Sequence, residues 1–246
     1  MEALKKQTIV DDLEIIVIDN HSGGNSMQLL RPLLGKGDRI TVFETPENIG
    51  YGRGNTLGVE RAQGTYVLII NPDTMLEPTA LHSMLAYLQD HPDVGILGPQ
   101  LIFPNGTIRD SYRTFPTLAD VVIKRTWLRF FFPKRMGVYL QWAEDPHEVR
   151  AVDWIVGACL FMRKDFFETL GGFDPRFFLF FEDTDLCRRC WLQGKKVVYF
   201  PVAKAHDGEH RLSSGGVLTF FRKKSARIHL RSALKYFWKW RGGEND

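Results

Sequence analysis

The chain has 246 residues, 44% hydrophobic, 13% aromatic and 25% charged, which suits one large domain or two small ones with ample apolar material for a core. That composition excludes disordered, collagen-like and low-complexity classes, and without a run of eighteen apolar residues no membrane-spanning helix is expected. The net charge of +3 is uneven. From His210 onward nine Lys or Arg face only Glu244 and Asp246, so a mildly acidic body carries a basic tail suited to an anionic surface or ligand. The opening MEALKKQTIVDD lacks the apolar stretch of an export signal. Cys159, Cys187 and Cys190 are too few for a disulfide framework, so a reducing, cytoplasmic setting is expected.

In chain order, LEIIVID (13–19) reads as a buried strand running into a loop. Residues 26–34 read as a helix, RITVFETP (39–46) as a second strand, and NIGYGRGN as a Gly-rich loop. TLGVERAQG fits a helix stopped by Gly64. YVLIINPD (66–73) is another buried strand, and residues 78–90 form a helix with Leu81, Leu85 and Leu88 on one face. Strands alternating with helices at this pace predict an α/β fold, a mostly parallel central sheet flanked by helices. Residues 104–150, rich in Phe, Trp and Pro, are expected to be irregular. VDWIVGACLFMR (152–163) predicts one strand, and KDFFETLGGFD a short helix. FLFFEDTDLCRRCWLQG runs into a helix with its acids at the start and Gly194 at the end, and KKVVYFP closes the pattern as a strand.

The loop at 50–58 fails the dinucleotide fingerprint at its third glycine, and no Walker motif, nucleophile elbow or H-E-x-x-H occurs. What remains is Asp73 at a strand end, the cluster Glu182, Asp183 and Asp185 at a helix start, and His206 after the closing strand. Carboxylates at strand ends with one imidazole suit an oxygen-preferring divalent ion and leave positions for a diphosphate. Each also has a plain reading: an Asx turn for Asp73, an N-cap for Asp183, a surface histidine for His206. Spacing alone leaves these open.

Four segments together resemble family 2 glycosyltransferases of the GT-A fold, in particular their bacterial rhamnosyltransferase-like branch. They are LEIIVIDNHS, ENIGYGRGNTLGVERAQGTYVLIINPDT, WIVGACLFMRKDFFETLGGFDPRFFLFFEDTDLCRR and the histidine of AKAHDGEH. The resemblance implies a GT-A domain over 1–210, with a nucleotide-sugar half (1–105) and an acceptor or catalytic half (106–210), then a basic aromatic helical tail (211–246). It implies that Asp19 contacts the nucleotide base and that Asn48, Gly50 and Asn55 line the nucleotide. Asn71 and Asp73 take the DxD position, with Asn in place of the first Asp, so a Mg²⁺ or Mn²⁺ ion falls to Asp73 and His206. Gly157 and Ala158 match the backbone beside the donor sugar. Asp183 matches the general base, flanked by Glu182 and Asp185. Trp154 and Arg113 are placed near the acceptor without a motif to support them.

The implied activity is metal-dependent, inverting transfer of a sugar, with rhamnose one candidate, from a nucleotide-diphosphate donor to a glycan or polyprenyl-diphosphate-linked acceptor. A non-catalytic partner protein and a sugar nucleotidyltransferase are the alternatives. The tail LTFFRKKSARIHLRSALKYFWKW and the stretch KRTWLRFFFPKR (124–135) interleave aromatics with cations, which suits peripheral contact with the anionic inner face of the plasma membrane. No nucleic-acid motif accompanies the charge. The chain opens inside the helix that follows the family's first strand, which normally sits between those matching 13–19 and 66–71. Three explanations are therefore open: further residues upstream of Met1, a strand complemented by a second chain in an oligomer, or a degraded protein without activity.

Overall fold

The computed structural model describes residues 1–23, 28, 30, 39–208 and 224–242. The helix expected over 26–34 lies outside the described residues apart from two isolated positions. The elements run α1 (Glu2–Lys5), β1 (Ile15–Asp19), β2 (Ile40–Glu44), α2 (Tyr51–Arg61), β3 (Tyr66–Ile70), β4 (Met75–Leu76), α3 (Ala80–Asp90), β5 (Val94–Ile102) and β6 (Tyr112–Arg113). They continue as α4 (Leu118–Arg125), α5 (Pro133–Tyr139), β7 (Arg150–Ala151), β8 (Trp154–Ile155), β9 (Cys159–Arg163), α6 (Lys164–Thr169), α7 (Glu182–Leu192), β10 (Lys196–His206) and α8 (Lys224–Lys239).

The expected α/β architecture holds, but the central sheet is mixed where a mostly parallel one was expected. Its order is β3-β9-β5-β10-β4, with β7 also on β10. β5 and β10 pair in parallel, while β9 lies antiparallel to both β3 and β5. A parallel pair needs a crossover that returns the chain to the same end of the sheet. The long excursion between β5 and β9 instead delivers β9 from the opposite end. The period of two decides which core each side chain joins. Leu160, Met162, Val197 and Tyr199 enter the cluster on one face. Cys159, Phe161, Val198 and Phe200 enter the cluster on the other.

β1 and β2 form a separate parallel pair. Among the described residues β1 does not pair with β3, so each keeps an open edge. β1 is half-buried along its length rather than fully buried as read from sequence. Helix α2 spans the division: Gly58 faces Ile16 and Ile18, and Val59 joins the cluster of Val67 and Ile69.

Three further expectations are corrected. From Tyr51 the Gly-rich segment is the first turn of α2, and its Gly52 lies so close to Phe173 that a Cβ would sit 2.9 Å from that side chain. The segment 152–163 is two strands, β8 and β9, broken at 156–158. Residues 104–150 contain ordered helices. Thr117 and Asp120 close a capping box on α4, and Arg135 of α5 reaches back to Asp120 at 2.6 Å and to Thr117 at 2.8 Å. The aromatic composition hid the periodicity, since the inward residues Ile123, Leu128, Met136 and Tyr139 alternate with apolar ones that face out.

Candidate active site

The loop at 45–50 is organised by Asn20, a residue that the sequence did not mark out. Its Nδ2 donates to the Gly50 carbonyl at 2.9 Å, and its Oδ1 accepts from the Ile49 N–H at 2.9 Å and the Thr45 hydroxyl at 3.2 Å. Standing directly after Asp19 at the end of β1, it was visible only as the second half of an Asp-Asn pair. Asp19 accepts from the Ser22 N–H at 2.9 Å, and the hydrogen bonds from Ser22 hold its carboxyl below the ordinary value. Asn48 accepts from the Gly50 N–H at 3.0 Å. Gly50 has φ +90° and lies against the Phe178 backbone too closely for any Cβ, so glycine is required there. Asn55 donates to the Tyr51 carbonyl at 3.0 Å inside its own helix.

One chain of hydrogen bonds joins this loop to the acids. The Tyr51 hydroxyl donates to the Gly157 carbonyl, and the Gly157 N–H donates to Asp183 Oδ2 at 2.9 Å. Asp183 Oδ1 accepts from the Thr184 N–H at 2.7 Å. Asp183 lies within α7, whose N-cap is Phe181, so the capping reading of Asp183 falls away. Phe180 and Phe181 both have positive φ, a conformation bulky residues rarely adopt, and this turn aims the two acids of α7. Glu182 is 5% exposed, and its Oε2 has no hydrogen-bond partner among the described residues. Burial, then the Asp183 charge, pushes Glu182 up, and burial likewise raises Asp183. The pair therefore favours one negative charge over two.

Asp185 plays a different part from its neighbours. Fully buried, it accepts from Arg189 Nε at 2.8 Å and from Trp240 Nε1 at 3.0 Å, and it pairs with Lys239 at 2.6 Å. It ties α7 to the C-terminal helix α8. Lys239 also reaches Asp174 at 2.7 Å, and Ser232 donates to the Leu179 carbonyl at 2.8 Å.

On the opposite side of the sheet end, the Asn71 N–H donates to the Ala158 carbonyl at 2.9 Å. Asp73 is exposed, and its carboxylate rests over Gly208, where a Cβ would stand 2.9 Å from Oδ2. His206 is the last residue of β10 rather than a position beyond it, and its Nε2 lies 3.4 Å from Glu77 Oε1. Neighbouring Asp207 is already engaged by Arg109 and Thr74. Among the described residues no group of three His, Cys, Asp or Glu converges as a metal cage. A Mg²⁺-type ion takes only one or two protein ligands and completes its shell with phosphate and water. The exposed Asp73 carboxylate over Gly208 fits that demand, and His206 stands two residues before that glycine.

Arg113 stacks on Trp154 at 4.9 Å, and its charge favours ionised Asp183. Trp154 is buried and donates to the Thr114 carbonyl at 2.9 Å, so it is a core residue rather than an acceptor platform. The three cysteines are unpaired and buried, and burial pushes the Cys190 thiol up to about 12.

A testable consequence concerns His229 of α8, which packs between Phe180 and Phe181 at 5.1 and 5.2 Å. Burial, then the charges of Arg125 and Lys124, lowers it to about 3. A depressed imidazole binds fewer protons in the native state than in the unfolded chain, so its contribution is complete above about pH 6.5 and lost as pH falls toward 3. Acidification is therefore expected to release α8, read by the fluorescence of Trp240, and His229→Leu should remove that acid transition.

The family model for glycosyl transferase family 2 matches residues 1–171. The chain is 31% identical over 185 residues to the N-acetylglucosaminyl-diphospho-decaprenol L-rhamnosyltransferase of Mycobacterium tuberculosis, covering 70% of this chain and 60% of that protein. It is 27% identical over 198 residues to rhamnosyltransferase WbbL of Escherichia coli, covering 76% and 69%. In fold it is similar to GalNAc-T7 solved with UDP, GalNAc and Mn²⁺, with a TM-score of 0.64 at 14% identity over 86% of this chain and 40% of that one. It is also similar to S. aureus TarS solved with UDP, with a TM-score of 0.58 at 14% identity over 84% and 54%. The chain thus spans about 60% of the length of the mycobacterial relative, and, with the family model matched over residues 1–171, it belongs to glycosyl transferase family 2.

Proposed function

We propose that this protein is a metal-dependent, inverting glycosyltransferase that moves a sugar, rhamnose first among candidates, from a nucleotide-diphosphate donor to a glycan or polyprenyl-diphosphate-linked acceptor. It works at the inner face of the plasma membrane, in assembly of a bacterial envelope polysaccharide. Residues 1–105 form the nucleotide-sugar half, 106–210 the acceptor half and 211–246 a helical tail. The observation that carries the reading is the path from Tyr51 through Gly157 to Asp183, which links the donor-side loop to a carboxylate on a separate helix. The names of the mycobacterial and E. coli relatives support the choice of donor and acceptor.

In this reading Asp19, Asn48 and Gly50 seat the nucleotide, with Asn20 fixing the shape of their loop. Asn55 lines the nucleotide with them, Asn71 takes the DxD position beside Asp73, and the backbone of Gly157 and Ala158 borders the donor sugar. Asp73 and His206 would hold the divalent ion, which when bound offsets charge on the departing diphosphate. Asp183 Oδ2, oriented by the Gly157 N–H, takes the proton of the acceptor hydroxyl as its oxygen bonds to the anomeric carbon. The bond from that carbon to the diphosphate breaks on the opposite face, so configuration inverts. Tyr51, held neutral by burial and by Glu182 and Asp183, keeps its proton on the Gly157 carbonyl.

The test is a panel of nucleotide-diphosphate sugars, dTDP-rhamnose included, incubated with Mn²⁺ and polyprenyl-diphosphate-N-acetylglucosamine. One donor is expected to yield a product larger by one sugar residue, with inverted anomeric configuration by NMR. Release of inorganic diphosphate from an NTP and a sugar phosphate would replace this reading with a nucleotidyltransferase.

A further inference from the structure

The α4–α5 hairpin turns an apolar face outward that no catalytic role explains. Trp127, Phe130, Phe131, Val138 and Trp142 are 57, 71, 68, 72 and 56% exposed. A folded domain ordinarily covers aromatics of this size, and a cluster of them marks an interaction surface. The face is built rather than frayed. Ile123, Met136 and Tyr139 anchor the hairpin in the core, Arg135 clasps Asp120, and the Trp127 and Phe131 rings meet edge to face at 5.2 Å. Trp142 rests against Gly137.

Charge selects the occupant. Between Val121 and Ala143 there are five Lys or Arg and no acid, and Arg129, Lys134 and Arg135 are exposed among the aromatics. Arg129 lies over the Phe130 ring at 4.8 Å, an arrangement that presents ring and cation together. Aromatics that insert at head-group depth beside the exposed Arg129 and Lys134, with Asp120 buried and paired to Arg135, match an anionic lipid surface. A second copy of this same face would bring like charges together. The basic tail, to which the sequence also assigned membrane contact, buries Ala226, His229, Ala233 and Tyr236 of α8 against the domain, so that face of it is already occupied.

We propose that the hairpin around Trp127–Trp142 is the element by which the protein docks on an anionic leaflet, and that it brings Asp183 to a lipid-linked acceptor. The second half rests on the proposed function. Its structural support is that the hairpin continues straight into the site. The Thr114 N–H donates to the Tyr139 carbonyl at 3.2 Å, and the adjoining Arg113 stacks on Trp154 of β8, the strand that leads to Gly157.

The test is sedimentation of the full chain with vesicles of phosphatidylcholine alone or mixed equally with phosphatidylglycerol, without donor or acceptor. Binding to the anionic vesicles is expected to be at least tenfold stronger and to fall steeply with salt. Each cation near the surface is worth about a fivefold change in partitioning, so Arg129→Gln with Lys134→Gln should weaken it about 25-fold. Phe130→Ser with Phe131→Ser should weaken it at least tenfold, and both double variants should keep the circular dichroism of the parent. Equal binding to both vesicle types, unchanged binding in both variants, or a dimer abolished by them in place of vesicle binding would overturn the proposal. Asp183→Asn should bind vesicles as the parent does. Vesicle binding without sugar transfer would sink the enzymatic reading and spare the docking surface, and transfer to a soluble acceptor without vesicle binding would do the reverse.

Discussion

Asp183→Asn is expected to abolish sugar transfer while leaving nucleotide affinity nearly unchanged. A general base contributes about 10²- to 10⁴-fold, and asparagine keeps the shape of the side chain and an oxygen for the Gly157 N–H but cannot take the acceptor's proton. In the proposed reading, binding of the donor's diphosphate falls to Asp73 and His206 on another part of the sheet. Calorimetry with a nucleotide diphosphate and Mn²⁺ should therefore give a dissociation constant for Asp183→Asn within about twofold of the parent, a difference under ~0.5 kcal/mol. Asp73→Ala should weaken that same binding, and only in the presence of metal. Equal losses in both variants would refute this division of labour. The pH profile gives a second check. Asp183 acts as the ion, and burial raises it, so turnover should climb with pH through a value above the ordinary carboxylate range. A residual rate in the asparagine variant should lack that limb.

Much of this site was legible because its residues stand at the ends of strongly patterned elements. Asp73 follows an apolar strand, and Asp183 opens a helix after an aromatic run, so their positions followed from periodicity. The tertiary closures were not legible. The fully buried Asp185 looks, in sequence, like another acid of the same cluster, and nothing local shows that Lys239 and Trp240, more than fifty residues away, absorb it. Asn20 escaped notice for the same reason, since its partners lie at 45, 49 and 50. The hairpin at 118–139 was hidden by composition. Its outward face carries large aromatics among its cations, which blurs the amphipathic contrast on which a helix reading depends. The sheet's direction reversals were invisible because β9 carries the same continuous apolar run as a parallel strand.

Loss of the contact between α7 and α8 should lower turnover with little effect on donor binding. Lys239 closes two contacts at once, with Asp185 on the helix of the proposed base Asp183 and with Asp174 on the segment that leads into it. Asp174 is held well below the ordinary carboxylate range, despite its burial, by hydrogen bonds from Arg176 and Lys239. Removing one partner of a buried ion pair costs about 3–5 kcal/mol when the other is left uncompensated. Asp185 keeps Arg189 and Trp240 when Lys239 goes, so Lys239→Met should cost less, about 1–3 kcal/mol, and leave the chain folded. The turn at Phe180 and Phe181, with both residues at positive φ, then loses part of what holds it, because Ser232 and Lys235 of α8 bind the Leu179 and Arg176 carbonyls at 2.8 and 2.6 Å. A misplacement of about 1 Å at a reacting group can cost on the order of 100-fold, and a partial loosening should reduce kcat about tenfold. Donor KM should stay within about twofold, since Asp73 and His206 are not in this contact. Lys239→Arg, which can still reach both carboxylates, should restore most of the turnover. A Lys239→Met enzyme with lowered thermal stability but parental kcat would show that α8 supports the fold without positioning the base. Loss of donor affinity in step with kcat would show that the contact supports the whole site rather than the helix of Asp183.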